Sequence, residues 1–200
     1  CMKKVAIIGA GLLGRVTALN LLENEEIAVT IYEKAGYDGE NAAASTAAGM
    51  LAPFAELETA ESAILEHGMR SIKLWPAILE KIGIPEAFQQ TGSIITAHPQ
   101  DQAELDRFIS TLHAKVPAAE EIRTLDNRAL VEMEPSLKHH TQAYHLYAEG
   151  QVDSAMFIEA STKYLLDHPR VTWYEHHPID KGLSDVDTFN AVHGTDFDWV

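Results

Sequence analysis

Cysteine, long apolar runs and basic residues are scarce in this sequence, and each shortage excludes a class of protein. Cys1 is the only cysteine among the 200 residues, so an internal disulfide is excluded. No stretch reaches the roughly 18 consecutive apolar residues that a membrane-spanning helix needs. The apolar run after Lys4 is interrupted by Gly9, Gly11 and Gly14, and no small-residue cleavage site follows, so a secretory signal is not predicted. We therefore expect a cytoplasmic protein that does not bind membranes.

The shortage of basic residues gives the chain a strong negative charge. Thirty Asp and Glu against fifteen Lys and Arg leave a formal net charge of −15 with neutral histidines. Such a surface repels phosphate backbones and anionic lipids, so nucleic acid is not expected as a partner. Any phosphate that this protein binds must be held by backbone N–H groups and a helix N-terminus, against the field of the whole chain.

The first 33 residues have the pattern of a strand, a helix and a second strand. Residues 5–8 form an apolar run that ends at glycine, which is typical of a strand buried on both faces of a parallel sheet. Apolar residues then recur at helical spacing over residues 12–22, and residues 27–32 form a second strand-like run. The pattern predicts an α/β fold that contains a Rossmann-type βαβ unit with a right-handed crossover.

The turn between the first strand and the helix carries a G-x-G-x-x-G motif. We expect Gly9 to make the tight turn, Gly11 to let the backbone approach a pyrophosphate, and Gly14 to allow close packing of helix and strand. Glu33 lies at the end of the second strand, where its carboxylate can accept hydrogen bonds from ribose hydroxyls and would repel a 2′-phosphate. The motif therefore predicts a dinucleotide other than NADP, and it leaves FAD and NAD open.

Residues 41–53 are rich in alanine and other small residues. Their backbone could lie against a flat ligand, and Ser45 and Thr46 offer hydroxyl groups. By composition alone, the segment is a compact loop or the start of a helix.

Taken together, these motifs resemble the D-amino-acid-oxidase type of FAD-dependent oxidoreductases, and within them the glycine-oxidase-like branch associated with thiamine biosynthesis. The resemblance rests on the glycine motif with Glu33, on residues 45–51, on Glu134-Pro135 and on residues 149–153. It implies FAD as the cofactor. The cofactor-binding residues that the motif and the resemblance predict are Gly9, Gly11, Leu12, Leu13, Gly14, Glu33, Lys34, Ala43, Ala44, Ser45, Thr46, Ala48, Gly49, Met50 and Ile179.

The resemblance also implies a domain organisation. We expect residues 1–87 and 148–200 to form the FAD-binding domain, incomplete at its C-terminal end, and residues 88–147 to begin an inserted α+β substrate domain. In this family the residues that grip the substrate carboxylate belong to the C-terminal half. The catalytic residues are therefore expected outside this chain, and residues 1–200 alone are expected not to oxidise amino acids. A companion C-terminal half or a homo-oligomer is a candidate partner.

Three further patterns predict local structure. Pro76 should kink or divide a helix that carries apolar residues from Leu65 to Ile82. Residues 188–192 read as a strand. Residues 197–200 look like the beginning of a core strand, so the end of the sequence looks like a truncation.

The predicted function is oxidation of the amine of a small, glycine-like amino acid by hydride transfer to flavin, with O2 as the acceptor. Two alternatives stay open: an NAD-dependent dehydrogenase, and a non-catalytic nucleotide-binding subunit or fragment that needs a C-terminal half. The ten histidines show no metal-binding spacing and have no cysteine partner, so no metal is expected.

Overall fold

The structure is a computed structural model that describes residues 2–39, 42–58, 62–115, 122–181 and 183–200. The chain divides into two compact units. The first unit consists of Cys1–Gly49, Ile78–Ala87 and Asp153–Val200, and the second consists of Met50–Ala77 and Phe88–Val152. Residues 50–77 thus group with the second unit, although the sequence assigned them to the FAD-binding domain. Whether the two units act as FAD-binding and substrate domains stays a prediction.

The described elements alternate between strands and helices at both ends of the chain. In chain order they are β1 (Lys3–Ile8), α1 (Leu12–Leu21), β2 (Ile27–Tyr32), α2 (Ala43–Thr46), β3 (Met50–Leu51), α3 (Ser62–Lys81), β4 (Phe88–Gln89), β5 (Ser93–Thr96), α4 (Gln102–Lys115), β6 (Ile122–Asp126), α5 (Asn127–Met133), β7 (Gln142–Leu146), β8 (Gly150–Val152), α6 (Ser154–Asp167), β9 (Val171–Tyr174) and α7 (Val186–His193). Short 3-10 turns cover Ala55–Glu58, Pro85–Ala87, Pro99–Asp101 and Pro135–Leu137.

The first unit is built on a parallel sheet in the order β1-β2-β9. Helices α1 and α6 pack together and against this sheet. Trp199 makes a parallel bridge to Val5, so it lies beside β1 on the side away from β2. The α/β fold with a Rossmann-type βαβ unit, predicted from residues 5–32, is confirmed. Helix α3 continues through Pro76 as one element, so the proline does not divide it.

Residues 188–192 are not a strand, so that prediction is wrong: they lie within helix α7. The Asp185 carboxylate accepts hydrogen bonds from the Thr188 backbone N–H at 2.8 Å and from the Thr188 hydroxyl at 2.9 Å, which caps the helix. Phe189 is completely buried and packs with Ala6 and Tyr32 of the sheet. Capping and burial of one aromatic ring therefore outweigh the strand preference of the threonine and valine in this segment.

The second unit contains two antiparallel sheets, in the orders β3-β8-β4 and β5-β7-β6. Helix α4 buries Leu105, Ile109 and Leu112 in a core that includes Tyr144 and Leu146 of β7. No helix in the described ranges is both long enough and apolar enough to cross a bilayer.

Glu149 is a completely buried carboxyl group in the second unit. Its Oε1 accepts hydrogen bonds from the backbone N–H groups of Phe54 at 2.8 Å and Ala55 at 3.3 Å. Its Oε2 is buried and has no hydrogen-bond partner among the described residues. Burial raises the pKa of Glu149, although hydrogen bonds from Ser93, Phe54 and Ala55 oppose the shift. Glu149 thus fixes the chain shortly after β3.

This burial makes stability depend on pH. Because the folded-state pKa of Glu149 lies above its unfolded value, its favourable contribution is complete below the unfolded pKa and is lost as pH rises through the folded pKa. The unfolding free energy of wild type, relative to Glu149→Gln, should therefore fall as pH rises, by about 1.4 kcal/mol per unit of pKa displacement. Urea unfolding of both proteins between pH 4 and 8 measures this, and parallel curves would contradict it.

Candidate functional site

The turn after β1 uses its three glycines for three different reasons. Gly9 has a φ of +98°, which side chains rarely allow, and its N–H donates to the Tyr32 carbonyl oxygen at 2.8 Å. A Cβ at Gly14 would overlap the Gly9 carbonyl oxygen and would meet Ile7 Cγ2 at 3.2 Å, so Gly14 keeps α1 close to the strand. Gly11 has an ordinary φ of −69°, and a Cβ there would meet no atom of the described residues within 4 Å. The described part of the chain thus gives no packing reason for glycine at position 11, and the open space suits a ligand.

The first turn of α1 presents uncapped backbone N–H groups. Gly11 is the N-cap residue and provides no side-chain hydrogen bond, and the first turn contains no acidic residue. Leu12 and Leu13 are 43% and 80% exposed at this end of the helix. The N–H groups and the positive end of the helix dipole are therefore available to an anion, and the two leucines offer an apolar contact beside it.

Glu33 is fixed at the carboxyl end of β2, next to the glycine turn. Its Oε2 accepts from the Ala10 N–H at 2.6 Å, and its Oε1 accepts from the Ala35 N–H at 2.8 Å. The Glu33 N–H also donates to the Tyr174 carbonyl oxygen at 2.9 Å, and the Glu33 carbonyl oxygen accepts from the His177 N–H at 2.8 Å. Two oxygens provide about four acceptor positions, so the carboxylate can still accept hydroxyl donors from a ligand.

A cavity of about 260 Å³ lies between the glycine turn, the end of β2 and the start of α2. Of the residues predicted from the sequence, the structure brings Gly11, Glu33, Lys34 and Ala43 together in its wall. The other wall residues were not predicted, and all except one are small: Ala10, Arg15, Ala35, Gly36, Gly39 and Ala42. The cavity thus combines a helix N-terminus, one carboxylate and a mostly small-residue wall.

Arg15 is a residue of the cavity wall that the sequence did not predict. Its side chain is completely buried, and its Nε donates to the Ala10 carbonyl oxygen of the glycine turn at 2.7 Å. A usable signal was present, because Arg15, Ala18, Leu19 and Leu22 follow the spacing of one helix face, and the last three are apolar. An arginine on the buried face of α1 needs internal acceptors, and the structure supplies them.

The small-residue segment begins with the short helix α2, where Ala44 is buried and Ala43 is exposed. The Ser45 hydroxyl donates to the Ala42 carbonyl oxygen at 2.7 Å, and the Thr46 hydroxyl donates to the Ala43 carbonyl oxygen at 3.2 Å. Both hydroxyls thus hydrogen-bond within their own turn.

The rest of this segment is not part of the cavity wall. Ala48 is exposed, and Gly49 has a φ of +70°, a conformation that favours glycine. Met50 belongs to the second unit and is 63% exposed, and Asn41 lies outside the described residues.

Ile179 lies apart from the cavity. It is half-buried and packs in a cluster with Ala6, Tyr32 and Phe189. The chain passes close to the site two residues earlier, where the His177 N–H donates to the Glu33 carbonyl oxygen. The structure therefore shows a packing role for the Ile179 side chain, and its predicted backbone contact with the adenine side stays a prediction.

These features fit the ADP half of a dinucleotide. Open space at Gly11, uncapped N–H groups in the first turn of α1 and a carboxylate with free acceptor positions suit a pyrophosphate and a ribose. The described side chains include no group of three His, Cys, Asp or Glu residues placed to hold a metal ion.

Comparison with known proteins points to one family. A family model described as "FAD dependent oxidoreductase" matches residues 4–198. A Rhizobium etli protein named for a thiamine biosynthesis oxidoreductase, ThiO, is 35% identical over 105 residues, which is 52% of this chain and 30% of that protein. The crystal structure of glycine oxidase from Geobacillus kaustophilus is similar with a TM-score of 0.69 and 25% identity, over 88% of this chain and 47% of that one.

A third similarity concerns the fold alone. The L-amino acid deaminase from Proteus myxofaciens matches with a TM-score of 0.72 at 23% identity, over 92% of this chain and 41% of that one. The chain therefore spans less than half the length of these three relatives.

The different roles of the glycines predict different effects of substitution. Gly14→Ala should lower the melting temperature of the flavin-free protein, because its Cβ overlaps the Gly9 carbonyl oxygen. Gly11→Ala should lower that melting temperature less, because alanine is only a poorer N-cap than glycine there, and it should weaken FAD binding, since its Cβ would occupy space left open for a ligand. Thermal melts and flavin fluorescence titrations of both variants measure this. Equal loss of stability in the two variants would show that position 11 is structural.

Proposed function

Because this chain belongs to the family of FAD-dependent oxidoreductases, we propose that its protein oxidises the amine of a small, glycine-like amino acid and passes the electrons to O2. The matching family model confirms both the family and the FAD cofactor that the sequence predicted. The observation that carries the proposal is the cavity in which Gly11, the N-terminus of α1 and Glu33 meet. The similarity to a glycine oxidase supports the choice of substrate class.

We assign each group of predicted cofactor-binding residues to one part of FAD. We assign the pyrophosphate to the backbone of Gly9, Gly11 and Gly14 with Leu12 and Leu13, and the ribose and adenine side to Glu33, Lys34 and the backbone of Ile179. The flavin end is assigned to the small-residue segment from Ala43 to Met50. FAD supplies the two-electron redox chemistry when bound, and the protein supplies its position and surroundings.

Other parts of the proposal concern the whole protein. The groups that hold the substrate carboxylate and orient the amine are proposed to lie outside these 200 residues, in a C-terminal half or a companion chain. Residues 1–87 and 148–200 are proposed to act as the FAD-binding domain, and residues 88–147 as the beginning of the substrate domain. A cytoplasmic location, in keeping with the net charge of −15, is also part of the proposal.

Two measurements on the complete protein, purified with its cofactor bound, test this proposal. Absorbance after acid release should show free FAD, and a peroxide assay with glycine, sarcosine and D-alanine should show turnover of at least one of them. Release of NAD, or no chromophore after incubation with FAD, would contradict the cofactor assignment. Bound FAD without peroxide from any of the three would contradict the substrate class or the acceptor.

Glu33→Ala tests the ribose assignment. A hydrogen bond to a charged group contributes about 1.5–3 kcal/mol, so FAD affinity should fall by roughly 10- to 150-fold. Glu25→Ala is the matched control, because Glu25 is exposed in the turn before the opposite end of β2 and should bind FAD like wild type. Fluorescence titration measures both. An unchanged dissociation constant in Glu33→Ala would show that this carboxylate does not bind the cofactor.

A further inference from the structure

The cavity has to attract an anion in a chain whose formal net charge is −15. Two residues in its wall are cationic, Lys34 and Arg15. Lys34 is exposed, so solvent and salt screen its charge. Arg15 has no solvent exposure, and a charge acts more strongly through the low-dielectric interior than through water.

The hydrogen bonds that Arg15 makes to the described residues all go to uncharged acceptors. These are the carbonyl oxygens of Ala10 at 2.7 Å, Ile158 at 3.0 Å and Tyr37 at 3.2 Å, and the hydroxyls of Ser161 at 3.1 Å and Thr162 at 2.6 Å. No carboxylate lies within ion-pair distance of it in the described ranges. Burial lowers the pKa of Arg15 to about 10, while the charge of Glu33 acts in the opposite direction. The guanidinium group is therefore protonated at neutral pH.

The contact with Ala10 links this charge to the glycine turn. The carbonyl oxygen of Ala10 belongs to the same peptide group as the Gly11 N–H, and the chain has no cis peptide among its described bonds. In a trans peptide the C=O and the N–H point in opposite directions, so the Gly11 N–H is directed away from Arg15. A cation bound to the oxygen polarises the peptide and strengthens this N–H as a donor.

We infer that Arg15 is a positioning residue for the cofactor pyrophosphate, which it attracts as a buried cation and for which it orients the Ala10–Gly11 peptide. The inference rests on the proposed cofactor site. It explains how an acidic protein binds a doubly charged group at a place where the exposed side chains contribute little positive charge. The alternative is that Arg15 only joins α1 to α6 and to the loop at Tyr37.

Arg170 provides a matched control for that alternative. It also donates to three backbone carbonyl oxygens, those of Leu22 at 2.7 Å and of Asn24 and Ile27 at 2.6 Å each. These acceptors lie after α1 and at the start of β2, and Arg170 is not part of the cavity wall. Arg170→Met therefore removes a structural arginine from the same unit without removing charge from the cavity.

The experiment compares ADP with adenosine, which lacks the phosphates, by calorimetric titration of the full chain freed of flavin. In Arg15→Met, the affinity for ADP should fall by about tenfold or more, the size of one charged hydrogen bond, while the affinity for adenosine changes less than about twofold. Arg15→Lys keeps the charge and should retain most of the preference for ADP. Arg170→Met should lower the melting temperature and leave the preference unchanged.

The possible outcomes distinguish a failure of the inference about Arg15 from a failure of the proposed function. Equal losses of ADP and adenosine affinity in Arg15→Met would overturn the inference and leave the cofactor assignment intact. Wild type that binds neither FAD nor ADP would overturn the proposed function itself. If Arg15→Met does not fold, NMR of the wild-type protein tests the inference instead. The Nε–H resonance of Arg15 is assigned by its absence from the spectrum of Arg15→Lys. This resonance should shift when ADP is added and should not shift when adenosine is added. Equal shifts would overturn the inference.

Discussion

One buried cation connects four segments of the first unit. The guanidinium group of Arg15 joins the glycine turn through Ala10, the loop at Tyr37 and helix α6 at Ile158. It also lies over the ring of Trp173 on β9, with its carbon 4.9 Å from the ring centroid. Burying a charged group costs free energy unless its N–H donors are satisfied, so the loss of any one of these contacts would destabilise the others. The position of the turn is therefore coupled to helix and strand residues distant in sequence.

Several contacts fix the backbone of the glycine turn beside the cavity. Glu33 accepts from the Ala10 N–H, and Arg15 donates to the Ala10 carbonyl oxygen, so a carboxylate and a cation hold the two sides of one residue. The positive φ of Gly9 and the close packing at Gly14 fix the turn from the strand side. At the proposed site, a cofactor would meet donors and acceptors that are already oriented, which reduces the entropy lost on binding.

The sequence predicted the parts of the site that depend on local spacing. Gly9, Gly11, Gly14 and Glu33 follow from the order strand, turn, helix and strand, since this order alone places them together. The position of Arg15 in the cavity wall was not predicted, because its neighbours on the sheet and on α6 are known only once the chain is folded. Its helical spacing indicated only that it lies on the buried face. The helix at 186–193 was missed because one capping aspartate outweighed the strand preference of the residues inside it. Residues 50–77 joined the second unit through tertiary contacts that no local pattern encodes.

We propose that the turn after β1 and the end of β2 hold the ADP half of FAD. Hydrogen–deuterium exchange of the full chain with and without FAD measures this directly, residue by residue. We expect slower exchange at the amides of residues 10–13 and 34–36 when FAD is present, and no change in the amides of β9, which belong to the same sheet. Unchanged exchange at residues 10–13 in the presence of bound FAD would rule out this cofactor site.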